Sequence, residues 1–331
     1  MQTSKGDDYT RFSLPQPHHP STQPKSEQEA SCETNQEHSN QTGSETGSET
    51  SNAAGGEEAT TTEASPSPTL LKSPNKNGVV VLTMNRPESL NAINPAFIAD
   101  FAAALDEIAV DRSVRAVVLT GAGRAFCSGA DLKQTAEMPE ERSRVGWVYD
   151  AQLDLANLML RIYELPQPVI AAVNGPAVGG GLAIALHCDV RLASPQARFG
   201  SVFIKVGLSS LDVGTSYLLP KIVGVGHARE LMLTGRMIDA EEAARINLVN
   251  RIVPAEDLLG EAKSLAAEIA LNNQYGVWMT KTGLNAVLDA PSHRHALEIE
   301  NRTQVLGTFT GNMTEASRAF REGRQPDWKP Y

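Results

Sequence analysis

Valine, isoleucine, methionine and all three aromatic residue types are absent from Ser21 to Asn77, where the only large aliphatic residues are Leu70 and Leu71. Serine, threonine, glutamate, glutamine, asparagine, glycine and proline fill that stretch, with a near-repeat reading "TGSETGSETS". Such a composition buries too little apolar surface to offset the entropy of ordering. Residues 21–77 are therefore expected to be a disordered low-complexity segment. Cysteine is scarce: Cys32, Cys127 and Cys188 are odd in number and have no metal-ligand spacing. The latter two read as small buried hydrophobes, and the usage fits a reducing, cytoplasmic setting. No apolar run approaches the roughly 20 residues needed to cross a bilayer, so no membrane span is expected. The start of the chain lacks the apolar core of a secretory signal, and Asp7 and Asp8 argue against an organellar transit peptide. Basic runs are missing too. The net charge is −6 over residues 1–77 and −4 over 78–331, which argues against a nucleic-acid partner.

Several motifs are also missing. "GAGRAF" has Phe126 where a third glycine would complete a dinucleotide loop. There is no Walker loop, no H-E-x-x-H, no paired C-x-x-C and no G-x-S-x-G elbow. No histidine occurs between His38 and His187, so no local Ser–His or Cys–His pair is visible. His187 reads as a half-buried helix residue, and His293 and His295 as exposed residues at a helix start. No metal site and no separate cofactor are expected.

What is present begins after residue 77. "GVVVLTMN" (78–85), "RAVVLTG" (115–121) and "PVIAAVNG" (168–175) are β-branched apolar runs of buried-strand type. Asn94 followed by Pro95 marks a helix start, and Phe97, Ile98, Phe101, Leu105 and Ile108 form one stripe of that helix. Leu153, Leu158, Met159 and Ile162 carry a helical pattern before the third strand. "CDVRLAS" and "LVNRIV" read as further strands, with Asp239 capping a short helix between them. From Ala255 onward the pattern is helical. Strands alternating with helices, and then helices alone, predict an α/β fold with an appended helical part. Within it, "AAVNGPAVGGGLAIALHCD" (171–189) sets three glycines between a strand and a helix. Glycines there let a ligand approach the backbone and leave N–H groups at a helix N-terminus to hold an oxygen. The helix that follows opens Leu182-Ala183-Ile184-Ala185, with no acid, base or nucleophile.

Five segments in order resemble the crotonase, or enoyl-CoA hydratase/isomerase, superfamily: "LTMNRPESLNAIN" (82–94), "VVLTGAGRAFCSGADLK" (117–133), "PVIAAVNGPAVGGGLAIALHCDVRLAS" (168–194), "LTGRMIDAEEAARINLVNRIVP" (233–254) and "ASRAFREGRQPDW" (316–328). The resemblance implies a crotonase-like ββα spiral core over 78–268 and a C-terminal helical region over 269–331 that assembles a homotrimer or hexamer. Family members open with a strand of the pattern found at Tyr9, Phe12 and Leu14. By that resemblance residues 9–14 are expected to pair with Val79 to Met84, making 21–77 an insert in the first hairpin; the alternative is a plain N-terminal tail over residues 1–77. Slow growth of loop-closure entropy with length would tolerate such an insert.

The resemblance also implies an acyl-CoA or enoyl-CoA thioester as ligand, with coenzyme A part of the substrate. The amides of Ala130 and Gly180 would hold the thioester oxygen as it becomes an enolate. Ala130, Asp131, Leu132 and Lys133 would follow the thioester and pantetheine path, and Leu90 and Ala92 would border the adenine. In the tail, Arg321 or Arg324 would replace a lysine that family members often carry. The two glutamates of the best-known hydratases fall on Ala183 and Phe203, which cannot move protons. Asp212, in "GLSSLDVGTSYLLP", is the nearest acid. Its segment resembles the dienoyl-CoA isomerase branch, where an aspartate is an acid/base, and the aryl-CoA dehalogenase branch, where one is a nucleophile. A plain reading makes it a loop cap for the Val213–Thr215 amides. Glu137, Glu140, Glu141 and Asp150, beside Tyr149, read as a solvated face. Three functions remain open: an enolate-stabilising enzyme with Asp212 as acid/base, a thioester hydrolase or displacement enzyme with Asp212 as nucleophile, and a non-catalytic CoA-binding member.

Overall fold

The computed structural model describes residues 67–133 and 143–330. In chain order the elements are β1 (Leu70–Lys72), β2 (Val79–Met84), α1 (Pro95–Val110), β3 (Ala116–Gly121), α2 (Arg144–Glu164), β4 (Val169–Val173), β5 (Ala177–Val178), α3 (Gly180–His187), β6 (Val190–Ala193) and β7 (Arg198–Gly200). Then follow α4 (Thr215–Val223), α5 (Val225–Thr234), β8 (Ile238–Asp239), α6 (Ala240–Arg245), β9 (Arg251–Ile252), α7 (Leu258–Ala270), α8 (Gln274–Val287), α9 (His293–Thr308) and α10 (Asn312–Glu322).

Two sheets form among these residues. The larger runs β1-β2-β3-β4-β6-β9, and every pair in it except β1–β2 is parallel. The smaller runs β5-β7-β8. Parallel strands buried on both faces read as continuous apolar runs, which is why "VVVLTM", "AVVLTG" and "VIAAV" carry so little polarity. Alternation still sorts their side chains. Val80, Leu82 and Met84 face a core shared with Phe97, Phe101, Leu105 and Ile108 of α1 and with Leu158, Met159 and Ile162 of α2. Val79, Val81, Val118, Ile170 and Leu192 face the opposite side, against Leu258, Ala262 and Ala266 of α7.

The expected helix starts hold. Asn94 Oδ1 accepts from Phe97 N at 2.8 Å ahead of Pro95, and Asp239 Oδ1 accepts from Glu242 N at 2.8 Å. The expected division at 268/269 falls in the last turn of α7, a helix that packs on the main sheet. Beyond it, α8 is tied back to the core by Lys281. Its Nζ lies 2.8 Å from Asp189 Oδ2 and donates to the Ile162 and Gln167 carbonyls at 3.3 Å each.

The first hairpin differs from expectation. Residues 9–14 lie outside the described residues, but the edge of β2 away from β3 is already taken. Leu70, Leu71 and Lys72 oppose Met84, Thr83 and Leu82. Ser73 N donates to Val81 O, and Lys76 and Val79 exchange backbone bonds. The edge of β2 expected to receive residues 9–14 is thus occupied by Leu70–Lys72. Residues 67–77, at the end of the expected 21–77 segment, are therefore ordered. The physical reason is local: Leu70 and Leu71 were its only large aliphatics, and Leu70 is buried against the α1 side of the sheet.

Candidate active site

The glycine triplet sits where β5 turns into α3. Gly179 takes φ +55°, accepts from Ala183 N at 3.0 Å and donates to Gly200 O at 2.9 Å. Gly181 packs onto the segment that precedes Ala130, and a Cβ there would lie 2.0 Å from Cys127 O. Between them, Gly180 begins α3, where its amide has no intrahelical partner. The Ala130 segment runs alongside: Val178 N donates to Cys127 O at 3.0 Å, and a Cβ on Gly129 would lie 3.3 Å from Gly180 N. Among the described residues neither the Ala130 nor the Gly180 amide donates to another protein group. Two neighbouring free N–H groups, one on the positive end of a helix, form a donor pair suited to an oxyanion.

The surroundings of that pair are apolar. Ile93 Cδ1 lies 2.9 Å from where a Cβ on Gly180 would stand. Phe203 Cε1 and Val202 Cγ2 each lie 3.9 Å from the corresponding point on Gly179. Ala183 is fully buried one turn down α3.

Asp212 lies in the loop before α4. Its carboxylate accepts from Gln152 Nε2 of α2, and its carbonyl accepts from Thr215 N at 2.8 Å. The expected cap by the carboxylate does not form: Gly214 precedes α4, with no side-chain cap. Val213 takes φ +37°, a strained conformation for a β-branched residue. Thr215 Oγ1 is buried without a hydrogen-bond partner among the described residues. Beside this loop stands His187. Its Nδ1 lies 2.7 Å from Ala183 O, which fixes the proton on Nδ1, and its Nε2 edge packs on Gly214. Burial lowers the imidazole pKa, keeping the ring neutral.

Of the residues expected along the ligand path, Leu132 and Lys133 are exposed on the loop after Ala130. Leu90 is half-buried at φ +54°, and Ala92 is buried. Asp131 differs from the rest. Its Oδ2 meets Arg86 Nη2 at 2.9 Å and its Oδ1 accepts from Lys133 N at 3.1 Å, so both carboxylate oxygens have protein donors. In the tail, Arg324 is bound to Glu315 and Glu322 at 2.7 and 2.6 Å, and Arg321 is exposed. Glu137, Glu140 and Glu141 lie outside the described residues.

Sequence reading passed over Arg86, Asn91, Gln152 and His187 as site-building residues. One signal existed for Arg86: it is the only basic residue between Lys76 and Arg112, in a chain where charged side chains rarely go inside without a partner.

The enoyl-CoA hydratase/isomerase family profile matches residues 74–330. A probable enoyl-CoA hydratase of Mycobacterium bovis is 43% identical over 251 residues, covering 75% of this chain and 88% of its own. The short-chain-enoyl-CoA hydratase of Clostridium acetobutylicum is 37% identical over 249 residues, covering 75% and 92%. The crystal structure of enoyl-CoA hydratase from Bacillus anthracis superposes with TM-score 0.74 at 34% identity, covering 79% of this chain and 99% of that one. A monofunctional enoyl-CoA isomerase from M. smegmatis gives 0.59 at 39% identity, covering 70% and 98%. The spiral α/β core, the amide pair and these likenesses together show that the chain belongs to the enoyl-CoA hydratase/isomerase family.

Proposed function

We propose that this protein binds an enoyl-CoA or acyl-CoA thioester and stabilises its enolate between the amides of Ala130 and Gly180. One observation carries the reading: two neighbouring backbone N–H groups without a protein partner among the described residues, one of them at the start of α3. Fixed donors of this kind are each worth about 3–4 kcal/mol to a developing oxyanion. Relatives named as hydratases and as an isomerase support the substrate class.

Hydration by two glutamates finds no support, because Ala183 and Phe203 stand at those positions. Double-bond isomerisation needs a single shuttling group, and Asp212 is assigned to it. Its carboxylate takes a proton from the carbon between the thioester carbonyl and the double bond. The electron pair moves into a dienolate whose oxygen rests on the two amides. The same proton then returns to the far carbon, so no water or second acid is consumed. Gln152, bonded to the carboxylate, orients it. Leu90 and Ala92 are assigned to the adenine end, and Leu132 and Lys133 to the pantetheine path. The exposed apolar residues Leu306, Phe309, Met313 and Phe320 of the C-terminal helices support a homotrimer or hexamer.

Asp212→Asn, assayed with short and long 2-enoyl- and 3-enoyl-CoAs, tests the assignment. The expected result is a fall in kcat of about 10²–10⁴-fold with a small change in KM. Undiminished activity removes Asp212 from the mechanism. An acyl-aspartate adduct after rapid quench would instead make Asp212 a nucleophile. Ala183 and Phe203 also favour a non-catalytic reading, which a wild type that binds CoA thioesters but turns over none of them would establish.

A further inference from the structure

We infer that Arg86 and Asp131 are a positioning pair that aims the Ala130 amide. The inference rests on the functional reading above and extends it to residues that touch no substrate atom.

The argument begins with one peptide plane. Ile93 N donates to Gly129 O at 2.8 Å. The carbonyl of Gly129 and the N–H of Ala130 belong to the same trans peptide and point in opposite directions. Holding the carbonyl on Ile93 therefore aims the Ala130 N–H away from Ile93. The next peptide is held as well, because Asp131 N donates to Ile93 O at 2.9 Å. Ala130 thus pairs with Ile93 as a short parallel bridge, anchored on either side.

Two hydrogen bonds alone make a weak hinge. What braces them is Arg86, from the turn after β2. One arm of its guanidinium, Nη1, donates to the carbonyl of Ala92, the residue before Ile93. The other arm, Nη2, lies 2.9 Å from Oδ2 of Asp131, the residue after Ala130. A single planar fork therefore grips both sides of the bridge. Its own backbone is pinned in turn: Arg86 N donates to Asn91 Oδ1 at 2.9 Å, and Asn91 N donates to Arg86 O at 2.8 Å. Asn91 Nδ2 reaches the Ala122 and Ala125 carbonyls at 3.0 and 2.8 Å, fixing the turn on the loop that leads to Ala130. The Arg86 and Asp131 side chains are 10% and 8% exposed, so the pair is shielded from water and from salt.

Lysine cannot make both contacts, since its ammonium is a point donor and not a rigid fork. Removing one partner alone leaves a buried charge uncompensated and endangers the fold. Replacing both by apolar residues of similar volume avoids that penalty. The informative set is therefore Arg86→Lys and the double variant Arg86→Met with Asp131→Leu.

The probe is 3-oxobutanoyl-CoA, whose enolate absorbs in the near ultraviolet while its keto form does not. Amides aimed at the thioester oxygen favour the bound enolate. In the wild type the enolate band is expected to appear on binding. In both variants it is expected to weaken about 10-fold, and kcat for enoyl-CoA isomerisation to fall about 10–100-fold, the range for a misaimed donor. Affinity for saturated butanoyl-CoA is expected to stay within about 3-fold, and the double variant to melt near the wild-type temperature. A double variant that regains wild-type stability together with a wild-type enolate band and kcat overturns the inference, because the pair is then structural. A wild type that binds butanoyl-CoA but gives no enolate band overturns the functional reading, and the inference falls with it.

Discussion

At the scale of single residues, the three glycines between β5 and α3 do three different jobs. Gly179 supplies a backbone angle, Gly180 an amide and Gly181 an absence of side chain. Gly181→Ala forces a methyl against Cys127 O, which is backbone and cannot swing away. Its expected cost is about 1–3 kcal/mol or more, read as a lower midpoint in urea unfolding. Burial pushes the Cys127 and Cys188 thiols up to about 12, so both stay protonated at neutral pH. Native protein is expected to leave both unlabelled by a thiol reagent, and unfolding is expected to expose them. That these cysteines are buried hydrophobes was legible from their spacing. That Asp131 is gripped by Arg86 was not, because the two stand 45 residues apart and nothing local links them.

At the scale of elements, α3 carries both the Gly180 amide and, among the described residues, the one buried histidine. A folded pKa below the ordinary 6.5 means the unfolded chain takes up the His187 proton first as pH falls. The contribution is therefore complete above about pH 6.5 and is lost progressively below it. His187→Gln is expected to flatten that part of the stability profile, measured as melting temperature against pH. The link between α8 and the core makes a second element-scale prediction. Asp189→Ala leaves the Lys281 ammonium buried without its carboxylate, and an expected loss of about 3–5 kcal/mol would be read by chemical unfolding. Lys281→Met, which leaves no charge in the deeper position, is expected to cost less. Helix limits were readable here because caps are local: Asn94 and Asp239 announce their helices within four residues. Edge strands were not. Leu70–Lys72 has three residues and sits in a polar stretch, so its order comes from β2 and not from its own pattern.

At the scale of the whole molecule, the fold depends on where the chain first joins the sheet. A chain beginning at Asn75 lacks β1, and with it the burial of Leu70 and the Thr69 bonds to Asp100 and Asn85. It is expected to be about 2–3 kcal/mol less stable than one beginning at Ser67, by urea unfolding of the two side by side. Equal stability would show that β1 contributes nothing to the sheet. Assembly belongs to this scale as well. Phe309, in the turn after α9, and Phe320 of α10 are 82% and 88% exposed, an unusual position for large aromatic side chains. Sedimentation at micromolar concentration is expected to report a trimer or hexamer, and a monomer would remove that proposal.

By itself the sequence determined the apolar parallel strands, the caps, the glycine turn and the family, since each is written in a contiguous stretch of chain. It also determined that Ala183 and Phe203, and no acids, stand where the resemblance would set two glutamates. Only the tertiary structure decided which strand closes the first hairpin, that Arg86 meets Asp131, and that Asp212 meets Gln152 and not its own turn. The physical reason is range. Periodicity and capping act over a few residues, whereas a buried ion pair, a strand edge and a side chain's partner are settled by segments far apart in the chain that meet only when the core closes.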